Sequence, residues 1–265
     1  MFLSIVIPAL NEENYIGILL NSLTKQLHKD FEVLVVDGGS KDSTCDKVIE
    51  FSSKINLQLI KSDKKGIAYQ RNLGASKAKS DYLIFLDADG FVGDDFLQKL
   101  SAYLSSNPNV DTLTSWIEPL SDRKRDKLIF YTYNQFFLDV AKNIKPIAHG
   151  AFICIKSSVF QHLKGFRENV AVGEDFDLVI RATKHGYKFA VLKNPKIFTS
   201  IRRMETMGWG RYLWAMGKNS LYFQLRDIVD KVPWLDYDLE TGGAYYQKKA
   251  ESLKESALKF LNKIK

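Results

Sequence analysis

Several things are scarce in this chain, and each scarcity removes a class of protein. Only two cysteines occur, Cys45 and Cys154, too few for a disulfide framework, so a reducing compartment is expected. No apolar run approaches the ~18 residues that a membrane-spanning helix needs. Met1 to Leu10 is apolar but carries no basic n-region and no small-residue cleavage site, so it reads as a first buried strand rather than a signal peptide. No internal repeat, low-complexity tract or nucleic-acid-binding motif is visible, which disfavours a nucleic-acid partner.

What is present suits a globular enzyme. The 265 residues are 45% hydrophobic, enough to bury a substantial core in one large domain with a C-terminal extension. Lys plus Arg outnumber Asp plus Glu by 38 to 31, so the surface could attract a phosphorylated substrate or an anionic membrane face. The charge is unevenly spread. Acidic residues gather at Asp37, Asp87, Asp89, Asp94, Asp95, Glu174, Asp175 and Asp177, while basic residues dominate from Lys184 to Arg226 and in the tail. Acidic clusters in a basic chain read either as a cation site or as solvated loops.

The first half alternates strand and helix. Apolar runs at Phe2–Pro8, Phe31–Val36, Leu57–Lys61 and Asp81–Leu86 predict buried strands. Helices are expected at Glu12–Leu27 with Asn11 as cap, from Asp42 to about Ser53, and at Gly66–Lys77. Such alternation implies a mostly parallel, Rossmann-like central sheet with helices on both faces, whose ligands sit outside the carboxyl ends of the strands. The polar loops after Pro8, Val36 and Leu86 therefore share one rim. The second half reads as mixed: strands at Val110–Trp116, Ala151–Ile155, Lys188–Leu192 and Ile197–Ile201, an aromatic-rich helix from Asp122 to Lys142, and helices at Asp175–Gly186 and Gly208–Leu225. A tail helix from Tyr245 to Ile264 places Leu253, Ala257, Phe260, Leu261 and Ile264 on one face. Residues 1–110 and 111–204 divide the domain into two halves, followed by a helical extension over 205–265.

Four constellations carry chemistry. Asp87-Ala88-Asp89 follows the strand YLIFL, and two carboxylates so spaced at a strand end can turn toward one hard divalent cation, Mg2+ or Mn2+; a polar turn is the competing reading. Pro8-Ala9-Leu10-Asn11-Glu12-Glu13, with Asp37-Gly38-Gly39-Ser40 after the next strand, could bind a base or ribose, or form tight turns and caps. Lys65-Gly66 leads into a helix bearing Arg71, a setting for a phosphate or for a solvated basic face. Gly173-Glu174-Asp175-Phe176-Asp177 opens a helix, where a carboxylate could serve as general base or simply cap the helix.

In combination these segments resemble the family 2 glycosyltransferases of the GT-A fold: IVIPALNEE, VVDGGSKDST, GIAYQRNLGA, FLDADG and GEDFDLVIRATKHGY, over roughly residues 1 to 200. The resemblance implies an inverting displacement at the anomeric carbon of a nucleotide-diphosphate sugar. It places Pro8, Ala9, Asn11, Glu12, Asp37 and Gly39 at the nucleoside, Lys65 and Arg71 near the donor, and Asp87 and Ala88 at the nucleotide. Asp87 and Asp89 would serve the metal. Asp175 is the expected base and Glu174 the alternative; with a phosphate acceptor no base is needed, and Asp175 would position that acceptor instead. The first half becomes the nucleotide-sugar half and the second the acceptor half. His149 and Gly150 lie on the acceptor side, where His149 either contacts substrate or packs as a core histidine.

Arg202, Arg203 and Trp209 could bind a diphosphate or a phosphate-bearing acceptor, or be core packing with a basic edge. The acceptor is expected to be a saccharide or a lipid-linked group. The location is expected to be cytoplasmic, with peripheral membrane contact through the aromatic helix or the tail. A nucleotidyltransferase on a related fold is the rival enzyme reading, although its usual glycine-rich basic loop after strand one is here acidic and glycine-free. A membrane-associated binding module is the non-enzymatic alternative.

Overall fold

In the computed structural model the described residues are 1–140, 142, 146–170, 173–212, 214, 218 and 258–262. They build an eight-stranded sheet. The first part runs β1 (Leu3–Ala9), α1 (Ile16–Thr24), β2 (Phe31–Asp37), α2 (Thr44–Ile49), β3 (Leu57–Lys61), α3 (Ile67–Lys77) and β4 (Tyr82–Leu86). The second adds β5 (Gly90–Val92), α4 (Phe96–Ser106), β6 (Thr112–Pro119), α5 (Lys124–Tyr133), a π-helical segment Asn134–Val140, β7 (Phe152–Lys156), α6 (Ser157–His162), α7 (Glu174–Lys184), β8 (Phe189–Thr199) and α8 (Arg202–Met207). The sheet order is β3-β2-β1-β4-β7-β6-β8-β5. Strands β1, β2, β3, β4, β6 and β8 run one way, and β7 and β5 the other.

The strand sequences explain the layering. Alternate residues of a strand point to opposite faces, so Leu3, Ile5 and Ile7 of β1 join Leu19, Leu23, Phe96 and Leu100 of α1 and α4 in one core. Val6, Val36 and Phe85 join Ala68, Phe160, Leu178 and Val179 of α3, α6 and α7 in the other. Both faces are covered, as a predominantly parallel sheet requires. Close packing of α3 depends on Gly74: a Cβ there would stand 2.4 Å from Val6 Cγ1 and 3.0 Å from Val36 Cγ2.

Three local expectations change. The first helix begins at Ile16 rather than Glu12, and Asn11 is not its cap. Asn11 adopts φ +54°, its N–H donates to Ser40 Oγ at 2.8 Å, and its Oδ1 accepts from the Lys41 N–H at 2.8 Å. It therefore stitches the β1 loop to the β2 loop, a role open to Asn because its short amide tolerates left-handed backbone. The two strands expected near the end of the domain are one, β8, paired with β6 across a register shift between Ser115 and Ile117.

The aromatic helix splits into α5 and the π-helical segment. Buried Asn134 explains the change: its Oδ1 accepts from the Ile117 N–H at 3.0 Å and its Nδ2 donates to the Ile117 carbonyl at 2.8 Å. It satisfies both backbone polar groups of Ile117. Of the expected helical extension, Leu253, Ala257 and Ile264 and most of the segment after Tyr212 lie outside the described residues. Phe260 and Leu261 are buried beside Leu120, with Phe91 and Phe198 packed against them. Among the described residues no helix is long and apolar enough to cross a membrane.

Candidate active site

The parallel register brings the ends of β1, β2 and β4 to one rim: Ala9 sits opposite Asp37, and Val6 opposite both Leu34 and Phe85. Gln70 of α3 fixes this rim from below, its Nε2 donating to the Ala9 carbonyl at 2.9 Å and the Val36 carbonyl at 2.7 Å. Pro8, Ala9 and Ala88 are buried in its floor. Asp37 is also buried, and its carboxylate accepts from its own turn, the N–H groups of Gly39 at 3.1 Å and Ser40 at 3.2 Å. Gly39 takes φ +88° with open space where a Cβ would stand. Asp37 thus shapes the loop with the same oxygens that were expected to meet a nucleoside.

Arg71 is the hub of the site. It is 0% exposed, and its guanidinium donates to Asp87 Oδ1 at 2.8 Å, Glu174 Oε1 at 2.7 Å and the Gly150 carbonyl at 3.1 Å. The Phe166 ring lies 5.2 Å from its Cζ. One cation on α3 therefore joins the β4 loop to the start of α7, and its partner there, Glu174, lies 103 residues from it in sequence. Gly150 is the point of closest approach: a Cβ there would meet Arg71 Nη2 at 2.9 Å and both Asp87 Oδ2 and Asp175 Oδ2 at 3.4 Å.

The acidic turn that opens α7 sends its three carboxylates to different partners. Glu174 is taken by Arg71. Asp177 is taken by Arg167 at 3.1 Å and Arg181 at 2.7 Å. Asp175 makes no salt bridge with the described residues; its Oδ1 accepts the Phe176 N–H at 2.9 Å. Burial first, then the neighbouring Glu174, raise the Asp175 carboxyl to about 7 against the opposing pull of Arg71. Asp175 thus pairs an available oxygen with a proton affinity suited to general base work near neutrality.

A second arginine crosses the rim from the other side. Arg202, at the start of α8, forks onto Glu12, with Nη1 to Oε2 at 2.6 Å and Nη2 to Oε1 at 2.5 Å. Its Nε stands 3.1 Å from Asp89 Oδ2, and its Cζ lies 4.9 Å from the centre of the Tyr15 ring. Burial raises the Glu12 carboxyl to about 7 despite Arg202, and burial likewise raises Asp89.

Five carboxylates, Glu12, Asp87, Asp89, Glu174 and Asp175, thus surround Arg71 and Arg202. The negative excess and the oxygen-only donors of Asp87 and Asp89 fit a hard divalent cation completed by ligand oxygens. Among the described residues no group of three or more potential ligating side chains stands ready by itself.

The remaining expected residues fall at the edges. Lys65 is exposed ahead of α3, and Arg203 is exposed beside Arg202. His149 is 8% exposed, and its Nε2–H donates to the Ser115 carbonyl at 2.7 Å. Burial lowers its pKa to about 4, so it is a neutral, packed histidine. Trp209 Nε1 donates to Glu205 Oε1 at 3.2 Å, and Arg125 lies over its ring at 4.8 Å.

Sequence reasoning missed Gln70, Tyr15 and Thr44, whose Oγ1 accepts the Glu12 N–H at 2.8 Å. It also missed Tyr133, whose hydroxyl is pushed to a higher pKa by burial and then by Asp175. Polar side chains at core-facing positions of α3 were the available signal for Gln70.

Solved glycosyltransferase structures share the fold of this chain. The mannosyltransferase PcManGT of Pyrobaculum calidifontis, solved with GDP-Man and Mn2+, superposes with a TM-score of 0.69 at 21% identity, covering 98% of this chain and 74% of that one. Staphylococcus aureus TarS 1–349 with UDP-GlcNAc gives 0.62 at 22% identity, covering 76% and 58%.

The chain belongs to glycosyl transferase family 2, which matches residues 4–164. The amylovoran biosynthesis glycosyltransferase AmsB of Erwinia amylovora is 32% identical over 221 residues, 72% of this chain and 67% of that protein. An uncharacterized glycosyltransferase of Haemophilus influenzae is 28% identical over 193 residues, 68% of this chain and 61% of its own length. The chain thus carries a family 2 glycosyl transferase domain and spans less than two thirds of the length of the Haemophilus relative.

Proposed function

We propose that the enzyme is a divalent-metal-dependent, inverting glycosyltransferase that moves a sugar from a nucleotide-diphosphate sugar to an acceptor hydroxyl, with Asp175 as base. The observation that carries this reading is the Arg71 hub, which gathers Asp87, Glu174 and Gly150 around one space bordered by the available Asp175 oxygen. Residues 1–110 hold the donor, 111–204 the acceptor, and 205–265 form the extension. Relatives and neighbours solved with UDP-GlcNAc or with GDP-Man and Mn2+ support a nucleotide-sugar donor and a metal.

Asp87 and Asp89 would hold Mg2+ or Mn2+, which when bound neutralises the departing diphosphate as a Lewis acid. The chain's own residues do the rest. The loops at Pro8–Glu12 and Asp37–Gly39 seat the nucleoside, with Ala88 beneath the diphosphate. Asp175 takes the proton of the acceptor hydroxyl as its oxygen bonds to the anomeric carbon and the bond to the diphosphate oxygen breaks on the opposite face. Glu174, neutralised by Arg71, positions Asp175. The acceptor is a saccharide or lipid-linked group, and the enzyme works in the cytoplasm or at the inner membrane face. NMR of the product formed from an α-linked donor tests this: a β-linked product, lost in Asp175→Asn, is expected, and an α-linked product overturns it.

A further inference from the structure

We propose that Arg202 is a latch that stands in for the metal at Asp89 and is handed to the donor diphosphate when nucleotide and metal bind together. The inference rests on the metal reading of Asp87 and Asp89 above. It is carried by the way one guanidinium uses all three of its nitrogens. Two are spent in a parallel fork on Glu12, at 2.6 and 2.5 Å, and the third faces Asp89 Oδ2 at 3.1 Å. All three side chains are mostly buried, at 11%, 10% and 15% exposure.

A planar guanidinium matches carboxylates and phosphates equally well. The Asp89 oxygen it holds belongs to the pair that the cation needs. A cation arriving alone must therefore compete with a fixed positive charge at short range. A cation arriving with a diphosphate brings the replacement partner for Arg202, because phosphate oxygens offer the same paired acceptors. Tyr15, whose ring lies beneath the guanidinium, supports the charge in either place. The consequence is reciprocal coupling: nucleotide raises metal affinity and metal raises nucleotide affinity by the same factor. Because Arg202 begins α8, the exchange also moves the start of the C-terminal extension relative to the donor rim.

The test titrates Mn2+ into the full chain, with free Mn2+ read by electron paramagnetic resonance, with and without UDP or GDP, whichever binds. Wild type is compared with Arg202→Gln and with Arg202→Lys, which keeps the charge that balances Glu12. Without nucleotide, Arg202→Gln is expected to bind Mn2+ about tenfold tighter than wild type, from loss of a charge-assisted contact. With nucleotide the two should converge, so the nucleotide-induced gain shrinks by the same factor. Arg202→Lys should show the same pattern at reduced size.

A simple through-space effect of charge would instead tighten both titrations equally and leave the gain unchanged, which would overturn the latch while sparing the metal site. Wild type that binds no Mn2+ even with nucleotide would remove the metal reading and the latch together.

Discussion

Gly150→Ala is the substitution whose consequence can be worked most fully from the geometry. The added methyl would stand 2.9 Å from Arg71 Nη2, where nonbonded heavy atoms settle at about 3.5 Å or more. Something must therefore move by roughly half an ångström. Arg71 is fully buried and held by Asp87, Glu174 and the Gly150 carbonyl itself, so its displacement strains three charge-assisted contacts at once. The same methyl lies 3.4 Å from Asp87 Oδ2 and from Asp175 Oδ2, inside the space where donor and acceptor are proposed to meet.

Overpacking of this kind costs about 1–3 kcal/mol, and in a chain of this size the melting temperature falls by roughly 2–4 °C per kcal/mol. Rate is the more sensitive quantity, since a displacement of about 1 Å at reacting groups costs on the order of a hundredfold. The variant should remain folded, melt several degrees early, and release nucleoside diphosphate from its donor about 10- to 100-fold more slowly. The assay pairs thermal unfolding with steady-state diphosphate release. A wild-type kcat in folded Gly150→Ala would refute the assignment of this space to the reaction.

Further outcomes follow from individual residues. A base must be deprotonated, and burial lifts Asp175 to about 7, so kcat/KM should rise with pH through that value and flatten above it; Asp175→Asn should lose both the activity and this limb. Because a raised carboxyl disfavours the ionised folded state, stability associated with Asp175 is lost as pH rises from its unfolded value toward 7. Asp175→Asn should therefore melt no lower than wild type at pH 8, where a purely structural carboxylate would leave a less stable protein. Gly74→Ala should destabilise by about 1–3 kcal/mol, because its methyl would meet Val6 and Val36 at the tight α3–sheet contact. Gly17→Ala, with nothing within 4 Å of the added methyl, should instead stabilise α1 by about 0.5–1 kcal/mol; denaturant titrations separate the two.

The parts of the molecule legible in the sequence were those written in local pattern. Apolar runs of five to seven residues between polar loops gave β1 through β4, and the polar residues closing them gave the shared rim. The acidic turn before α7 was visible for the same reason. What stayed hidden depends on distant partners. Arg202 reads as a phosphate ligand in a basic stretch, yet its fork closes on Glu12, 190 residues away. Trp209 sits in that same basic stretch, and the partner of its ring, Arg125, lies far from it in sequence. The helix after β1 starts late because Asn11 is drawn into the β2 loop, a competition between capping and tertiary hydrogen bonding that its one-letter context does not reveal. The break in the aromatic helix follows from Asn134 reaching the β6 backbone, and β8 counts as one strand because it pairs with β6 on both sides of a bulge of its own between Leu192 and Ile197.

The central claim is that the carboxylates leaving β4 bind nucleotide through a divalent cation, and calorimetry of nucleoside diphosphate binding with and without Mn2+ tests it most directly. Binding that requires Mn2+ and disappears in folded Asp89→Ala is the predicted result. Equal affinity with and without the metal, or undiminished metal-dependent binding in Asp89→Ala, would contradict it.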